Sequence, residues 1–352
     1  MNSNFEILDY LNRATIVHHI EPSGKVWATD KKKIIVYGNG QWLTFSEFPF
    51  CKPRDYFSWS RPTARAFRSD KCNVYVNQAG MVMGIRGGVV YSFSKKNAQP
   101  LFSIQGDCVL HGSICEDDEG WTYFGEYFMN GARKPVRIWR ISADLSKWEI
   151  AYQSEAGSIR HIHGIYRDPF LQNVMWACVG DFSGECYLYR TDDQFRHIKR
   201  FGDGSQIWRA VRLFFTSDYV CWLTDSNLEP NHACRMSRKD GSLTIGQAVD
   251  SPSWYGCTLK GDWHLAFTTV ERGPAVLTHS SSILVSEDAF HWQVVKRFKK
   301  DILRPVQVFK YGVISCPSGT MKPESFYLSG EGLVGLDGRS IRARLIVEDA
   351  GE

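Results

Sequence analysis

The sequence predicts an all-β protein, a seven-bladed β-propeller with four-stranded antiparallel blades. Short strand-like runs separated by polar turns recur in groups of four, most clearly over residues 160–203. The third run of each group ends in a turn with an acidic residue, and Asp144, Asp193, Asp240 and Asp288 are separated by 49, 47 and 48 residues. Seven repeats of about 48 residues nearly fill the 352-residue chain. A repeated unit of four short strands is typical of a propeller blade.

This period predicts a single domain, residues 1–352, because no linker rich in Pro, Gly or Ser interrupts the repeats. Residues 1 to about 13 are expected to form a short helix or a strand that closes the ring, and the C-terminal run RARLIVED is one more strand that could close it. The predicted blades are approximately residues 14–60, 61–106, 107–155, 156–203, 204–249, 250–300 and 301–352.

Composition excludes several classes of partner. The formal net charge is +4 without a long basic block, which argues against nucleic-acid binding. The N-terminal residues lack the pattern of a signal peptide, and no apolar run reaches the roughly 18 residues of a membrane span, so no membrane partner is expected. The ten scattered cysteines form no C-x-x-C pair and are predicted to be reduced core thiols of a cytoplasmic protein.

Alignment of the repeats on their first strand gives a column of polar residues. The first strand of a blade lines the central channel, so these side chains should meet around one opening, and the second strand ends at the same face with a carboxylate in three blades. We therefore predict a pocket with a cationic, imidazole-rich centre. The column contains His18 or His19, Arg65, His111, His163, Arg209, Tyr255 and Arg304, and the carboxylates are Glu126, Asp181 and Asp225, with Glu271 as a fourth candidate.

This set of side chains suits chemistry on an acidic sugar. Arginine and histidine favour a carboxylate or sulfate, and Tyr255 beside Arg209 and Arg304 is expected to have a lowered pKa. β-Elimination on a uronate needs a neutralised carboxylate, a base and an acid. The candidate catalytic residues are His111, His163, Tyr255 and Arg209, and the candidate substrate-binding residues are His18, Arg65, Arg304, Arg160, Glu126, Asp181 and Asp225.

Two resemblances accompany these patterns. The heptads at Ser142–Trp148 and Ser286–Trp292 resemble the Asp-box, or BNR repeat, of sialidase-type propellers, which implies that Asp144 and Asp288 are structural. The predicted architecture and residue types also resemble seven-bladed polysaccharide lyases of the ulvan-lyase type. That resemblance implies that His111 and His163 act as bases or carboxylate neutralisers, Tyr255 as an acid/base, and Arg209 as a carboxylate clamp.

The leading hypothesis is a lyase that acts by β-elimination on a uronate-containing poly- or oligosaccharide and requires no cofactor. An intracellular oligosaccharide or a role in exopolysaccharide assembly fits a chain without a secretion signal. One alternative is a sialidase-like or other glycoside hydrolase with two carboxylates from Glu126, Asp181, Glu185 and Asp225. Another is a non-catalytic propeller that binds glycans or proteins.

A divalent metal ion is a further alternative. His161 and His163 lie two residues apart on a predicted strand and therefore share one face of it. This pair resembles the His-x-His metal site of propeller oligogalacturonate lyases, which implies a divalent ion here. His111 or His18 is expected to supply a third ligand.

Overall fold

The structure, a computed structural model, describes residues 3–38 and 40–347 and confirms the predicted seven-bladed β-propeller. Its strands form seven separate sheets, each built around four antiparallel strands that are consecutive in the chain in six sheets and include the N-terminal strand in the seventh. Residues 348–352, at the end of the seventh predicted blade, lie outside the described residues. No helix within the described ranges is long and apolar enough to cross a membrane.

The chain begins with β1, Ser3–Leu11, which belongs to the last blade. The following strands build one blade after another in chain order. Blade 1 contains β2 (Ile16–Ile20), β3 (Val26–Asp30), β4 (Lys33–Gly38) and β5 (Gln41–Glu47); blade 2 contains β6 (Asn73–Val76), β7 (Val82–Arg86), β8 (Val89–Ser94) and β9 (Asn97–Ser103); blade 3 contains β10 (Cys115–Glu116), β11 (Thr122–Gly125), β12 (Arg137–Ile141) and β13 (Trp148–Gln153).

Two short α-helices lie in connections between blades, α1 (Arg61–Phe67) between blades 1 and 2 and α2 (Val306–Phe309) before the last blade. The remaining strands continue in chain order. Blade 4 contains β14 (Ile162–Arg167), β15 (Met175–Val179), β16 (Cys186–Thr191) and β17 (Lys199–Gly204), and blade 5 contains β18 (Phe214–Phe215), β19 (Tyr219–Leu223), β20 (Asn231–Ser237) and β21 (Leu243–Val249). Blade 6 contains β22 (Ser253–Thr258), β23 (His264–Thr268), β24 (Ser280–Ser286) and β25 (Gln293–Lys299). Blade 7 contains β26 (Val313–Ser315), β28 (Phe326–Glu331) and β29 (Arg339–Val347), whereas β27 (Ser318–Gly319) pairs with the edge of blade 1.

The two ends of the chain meet in blade 7. Strand β1 pairs antiparallel with β29 and becomes the outer strand of that blade, so the N-terminal segment forms the closing strand rather than a helix. The ring of Phe5 packs against that of Phe326, with 6.0 Å between their centroids. Closing the ring in this way gives blade 7 its fourth strand and joins the first and last segments by hydrogen bonds.

The acidic turns between the third and fourth strands of a blade are capped by their own carboxylates. Asp144 accepts hydrogen bonds from the Ser142 hydroxyl at 2.6 Å and the Ser146 amide at 3.1 Å, which lower its pKa to about 2. Leu145 follows with φ of 58°, and Ala289 after Asp288 has the same value. Asp144 and Asp288 therefore hold equivalent left-handed turns, and this accounts for their spacing in the sequence.

Aromatic side chains fill the wedges between adjacent blades, which explains their abundance in the sequence. Between blades 4 and 5, for example, Trp176, Trp208 and Trp222 are buried in one cluster. The ten cysteines are all free, and eight of them are buried. Small apolar thiols suit the closely packed strands near the ring axis.

Replacement of Phe5 by alanine should destabilise the protein, because β1 closes the ring chiefly through its apolar contacts with blade 7. We expect a loss of about 1–3 kcal/mol in the free energy of unfolding, since Phe5 is half-buried. Tyr10→Ala, at an exposed position of the same strand, is the matched control and should change it by less than about 0.5 kcal/mol. Denaturant unfolding measures both values. Equal stability of the two variants would contradict closure by β1.

Candidate functional site

A cavity of about 550 Å³ lies on the face of the ring where the inner strands begin. Connections between blades and the ends of second strands form its wall. Five aromatic side chains line it, together with two imidazoles, four cationic side chains and three carboxylates. These residues are Tyr127, Phe128, Trp254, Tyr255 and Tyr311; His111 and His161; Arg61, Arg68, Lys71 and Lys310; and Asp70, Asp107 and Glu331. The cavity therefore combines flat apolar surfaces with charged groups of both signs.

The two longest connections between blades supply the cationic side of the pocket. The connection from blade 1 to blade 2 carries α1, which begins after Ser60, whose hydroxyl accepts a hydrogen bond from the Thr63 amide. Arg68 ends α1 in the left-handed conformation, with φ of 56°. The connection from blade 6 to blade 7 carries α2, and the two helices contact each other. This packing places Arg68 and Lys71 in the same wall as Lys310.

Arg68, Lys71 and Lys310 have no Asp or Glu oxygen within 4.0 Å among the described residues. Two nearby carboxylates are paired elsewhere, Asp70 with Arg61 and Asp107 with Arg54, and Glu331 lines the same cavity more than 4.0 Å from these three cations. The pKa of Lys310 is lowered to about 8, chiefly by burial; the charge of Glu331 opposes this shift, and the charges of Arg68 and Lys71 add to it. Repeat alignment missed these three cations because they lie in connections outside the repeated strands. The feature of the sequence that could have pointed to these cations is the length of those two connections, which exceeds that of the other connections between blades.

His111 and Tyr255 lie side by side in the pocket wall, with 5.8 Å between ring centroids. Burial, together with the charge of Lys71, lowers the pKa of His111 to about 4. Burial raises the pKa of Tyr255, so the expected lowering is wrong. Arg209 is bonded to two carboxylates instead, and Arg304 is bonded to carbonyls of its own loop. At neutral pH the pair is therefore a neutral imidazole beside a protonated phenol.

The pairing register of the inner strands changes the alignment that the repeats predict. A β-bulge falls at His18 in blade 1, at His163 in blade 4 and at Trp254 in blade 6. Trp254, not Tyr255, is therefore the blade 6 counterpart of His163. A shift of one residue turns each side chain to the opposite face of the strand. Because a bulge adds one residue to only one of the paired strands, the spacing in the sequence does not reveal this shift. Sequence reasoning consequently missed Trp254 as part of the pocket wall.

Asp181 is the centre of a buried cluster beside the pocket. Its Oδ1 atom lies 3.1 Å from Nε2 of His161, 3.0 Å from Nε2 of His163 and 3.1 Å from Nη2 of Arg209. Its Oδ2 atom accepts a hydrogen bond of 2.9 Å from Nη1 of Arg160. Burial alone would raise the pKa of Asp181, but contact with both histidines and the charge of Arg209 outweigh it and hold the pKa well below its usual value. Burial lowers the pKa of His161.

Two further carboxylates surround Arg209. Its Nη2 atom lies 3.2 Å from Oδ2 of Asp225, while Oδ1 of Asp225 is buried without a hydrogen-bond partner. Burial raises the pKa values of Asp225 and Glu271. The Arg209 guanidinium is thus surrounded by carboxylates of the protein itself. It neutralises buried charge and is engaged before any ligand arrives.

Three other predicted residues lie apart from this cluster. Arg65 is in α1 rather than on an inner strand, where it contacts Asp301 and the carbonyl oxygen of Phe309, tying α1 to the connection before blade 7. Glu126 is fully buried and accepts hydrogen bonds from backbone and indole N–H groups around its own blade. Arg304 is exposed. The structure brings together His161, His163, Arg160, Arg209, Asp181 and Asp225 in one cluster, and His18, His111 and Tyr255 in a chain of neighbouring rings.

His18 lies deeper in the channel than the pocket wall. It is buried, its Nε2 atom is 3.0 Å from the Thr29 hydroxyl, and its ring centroid is 5.5 Å from that of His111. Burial lowers its pKa well below the usual value, and proximity to His111 lowers it further. A neutral His18 therefore supports the His111 ring from below.

Comparison with known proteins supports the propeller fold. A chain of a mitotic checkpoint complex is similar over 97% of this chain and 95% of that chain, with a TM-score of 0.58 and 9% identity. YCF48 bound to a D1 peptide is similar over 97% and 94%, with a TM-score of 0.54 and 10% identity. A putative TolB from Agrobacterium tumefaciens covers 64% of this chain and 80% of its own, with a TM-score of 0.45 and 10% identity. The chain matches no protein-family model and no curated protein.

Replacement of Arg209 by alanine should strongly destabilise the protein, because it leaves Asp225 buried without a counter-charge and Asp181 with Arg160 as its remaining guanidinium partner. We expect a loss of about 3–5 kcal/mol in the free energy of unfolding. Arg304→Ala, from the same predicted column but exposed, is the control and should change it by less than about 0.5 kcal/mol. Chemical denaturation distinguishes the two. A loss in the Arg209 variant as small as that of the control would show that the ion pairs of Arg209 contribute no stability.

Proposed function

We propose that this protein is a ligand-binding propeller whose central pocket holds an anionic ligand. The observation that carries the proposal is the group of three cations, Arg68, Lys71 and Lys310, that line one cavity without a carboxylate partner among the described residues. Other cations near the ring axis, such as Arg65 and Arg209, are neutralised by the protein. Like charges held together repel each other, and an anion that bridges them relieves this repulsion.

The pocket wall favours an acidic oligosaccharide over a small inorganic anion. Trp254, Tyr255, Tyr127 and Tyr311 present aromatic surfaces beside the cations. Aromatic rings give sugar rings a large apolar contact, while lysine and arginine bind carboxylate or sulfate groups. The volume of about 550 Å³ also suits a ligand larger than a single anion. A uronate-containing oligosaccharide meets both requirements.

A second candidate function is β-elimination on that same ligand. The observation in its favour is the contact between His111 and Tyr255 in the pocket wall, where the imidazole is neutral and the phenol is protonated. A neutral imidazole can remove the proton beside a uronate carboxylate, and a protonated phenol can donate to the leaving oxygen. Lys71, whose charge acts on His111, would neutralise the carboxylate. No comparable contact favours hydrolysis, because Glu126 is bonded within its own blade.

Replacement of Lys310 by alanine should weaken the binding of an oligouronate about 10- to 100-fold, because one charge-assisted hydrogen bond is lost. Isothermal titration calorimetry with the full chain measures this change. Neutral oligosaccharides and an acidic peptide are the comparison ligands, and exposed Lys239→Ala is the control variant. Equal affinity for acidic and neutral oligosaccharides would overturn the anionic proposal. If the protein bound the acidic peptide more tightly, the proposal of an anionic ligand would stand and the proposal of an oligosaccharide would be rejected.

The affinity for an anion should fall as the pH rises through about 8, since the lowered pKa of Lys310 makes it the first of these cations to lose its proton. Below that pH the ammonium is present and binding is at its strongest. Lys310→Arg keeps a charge at all accessible pH values and should remove the decline. Titrations between pH 6 and about 9.5 test this, given the ordinary lysine pKa near 10.4. A wild-type affinity that stays constant over that range would contradict the assignment.

Lyase activity is tested separately by the absorbance of an unsaturated product. His111→Ala and Tyr255→Phe should each lower the rate by roughly 100- to 10,000-fold, the usual contribution of an acid or base, and leave oligouronate affinity within a few-fold. His264→Ala is the control, because that buried histidine lies outside the pocket wall and bonds Thr258. Binding without any unsaturated product would reject the lyase and leave the binding function in place.

A further inference from the structure

The ring nitrogens of His161 and His163 and one carboxylate oxygen of Asp181 meet in a buried place, and with both imidazoles neutral these three atoms have no hydrogen to share among themselves. Nδ1 of His161 lies 3.2 Å from the Phe128 carbonyl oxygen, and Nδ1 of His163 lies 2.9 Å from that of Ala210. A carbonyl only accepts, so both Nδ1 atoms must carry the hydrogen. In a neutral imidazole the Nε2 atom is then a bare acceptor.

The three remaining acceptors face one point. Nε2 of His161 and Nε2 of His163 lie 3.0 Å apart, and Oδ1 of Asp181 lies 3.1 Å and 3.0 Å from them. The side chains of the two histidines are only 3% and 1% exposed, and that of Asp181 is 10% exposed. Converging lone pairs in a buried place are unfavourable unless a cation lies between them.

We propose that His161, His163 and Asp181 bind one divalent transition-metal ion. Two nitrogens and one oxygen separated by 3.0–3.1 Å form one triangular face of a coordination shell. A tetrahedral ion with bonds of about 2.0–2.1 Å has ligands roughly 3.3 Å apart, so the three donors need to separate by only a few tenths of an ångström. The third ligand is Asp181, and neither His18 nor His111 takes part.

The surroundings of these three donors are those of an oriented metal site. Each histidine donates its other ring N–H to a backbone carbonyl, which fixes the ring and the tautomer. Arg160 bonds Oδ2 of Asp181, while Oδ1 faces both histidines and also lies 3.1 Å from Nη2 of Arg209. The β-bulge at His163 interrupts the alternation of the strand near its start. Each ligand is therefore held in place by a separate contact.

The local charge is compatible with a divalent ion. Arg160 and Arg209 lie beside Asp181, and the buried carboxyl groups of Asp225 and Glu271 lie beside Arg209 and offset part of this positive charge. Imidazole nitrogen selects zinc, iron, copper or nickel over magnesium and calcium, which prefer oxygen. His161 also lines the pocket, so the ion would add positive charge to the wall that faces the proposed ligand.

Metal titration of the full-length, chelator-treated protein tests this inference without any ligand or activity. Zn²⁺ and Co²⁺ should each bind with one ion per chain, Co²⁺ should give the visible absorption of a low-coordinate site, and Mg²⁺ should not compete. His161→Ala and Asp181→Asn should each weaken Zn²⁺ binding more than about 100-fold, because even outer-shell partners contribute roughly 10- to 100-fold. His197→Ala, which removes an exposed histidine 2.6 Å from Asp193, is the matched control and should bind as the wild type does.

The wild-type titration decides the matter even where a variant does not fold, and circular dichroism identifies such a variant. Absence of saturable binding of Zn²⁺, Co²⁺ and Fe²⁺ to the wild-type protein would overturn the inference, as would unchanged binding in a folded His161→Ala variant. The result is independent of the proposed function. A protein that binds zinc but no oligouronate would retain this site and lose only the proposed ligand.

Discussion

Closure of the ring is the constraint on which the rest of the structure depends. A propeller blade buries its two faces against its neighbours, so every blade needs one on each side. The first and last segments of the chain satisfy this requirement together, because β1 adds the outer strand to blade 7 and pairs with β29. Ion pairs of Arg342 with Asp9 and of Arg344 with Glu6 flank this seam. The apolar contact of Phe5 lies in the same seam.

The position of the seam also explains where the pocket lies. The connection that carries α2 lies directly before blade 7, and the connection that carries α1 follows blade 1, the next blade around the ring. Their helices contact each other across the closing blade and cover one side of the channel opening. Arg65, buried within α1, contacts Asp301 and so joins the two connections. The cationic side of the cavity at this opening therefore comes from connections outside the repeat.

Repetition in the sequence was sufficient to predict the fold. The acidic turns recur because Asp144 and Asp288 each cap a left-handed turn in their own blade, and this physical requirement is local. Strands and turns recur at a nearly constant period, so the period predicts the number of blades. The structure brings His163, Arg209 and Asp181 together because they lie where the chain enters an inner strand or leaves a second strand.

The sequence could not predict what depends on register or on irregular connections. A bulge moves Trp254 into the place that spacing assigned to Tyr255, and bulges leave little trace in composition. Arg65 and Arg304 matched the period by position alone, yet their backbone is a helix and a loop. Arg68 and Lys310 had no repeat partner to be aligned with. Their importance arises from tertiary packing that joins two distant connections.

The cationic residues near the ring axis fall into two groups, those that are paired with carboxylates and those that are not. Arg65 and Arg209 are buried and each contacts carboxylates of the protein, because an unpaired buried charge is strongly unfavourable. Lys310 is partly buried with no carboxylate oxygen within 4.0 Å among the described residues; Glu331 lines the same cavity, and its charge only partly offsets the lowering of the Lys310 pKa by burial. Arg61, in contrast, is paired directly with Asp70. The incompletely balanced charge of Lys310 is the reason for proposing an anionic ligand.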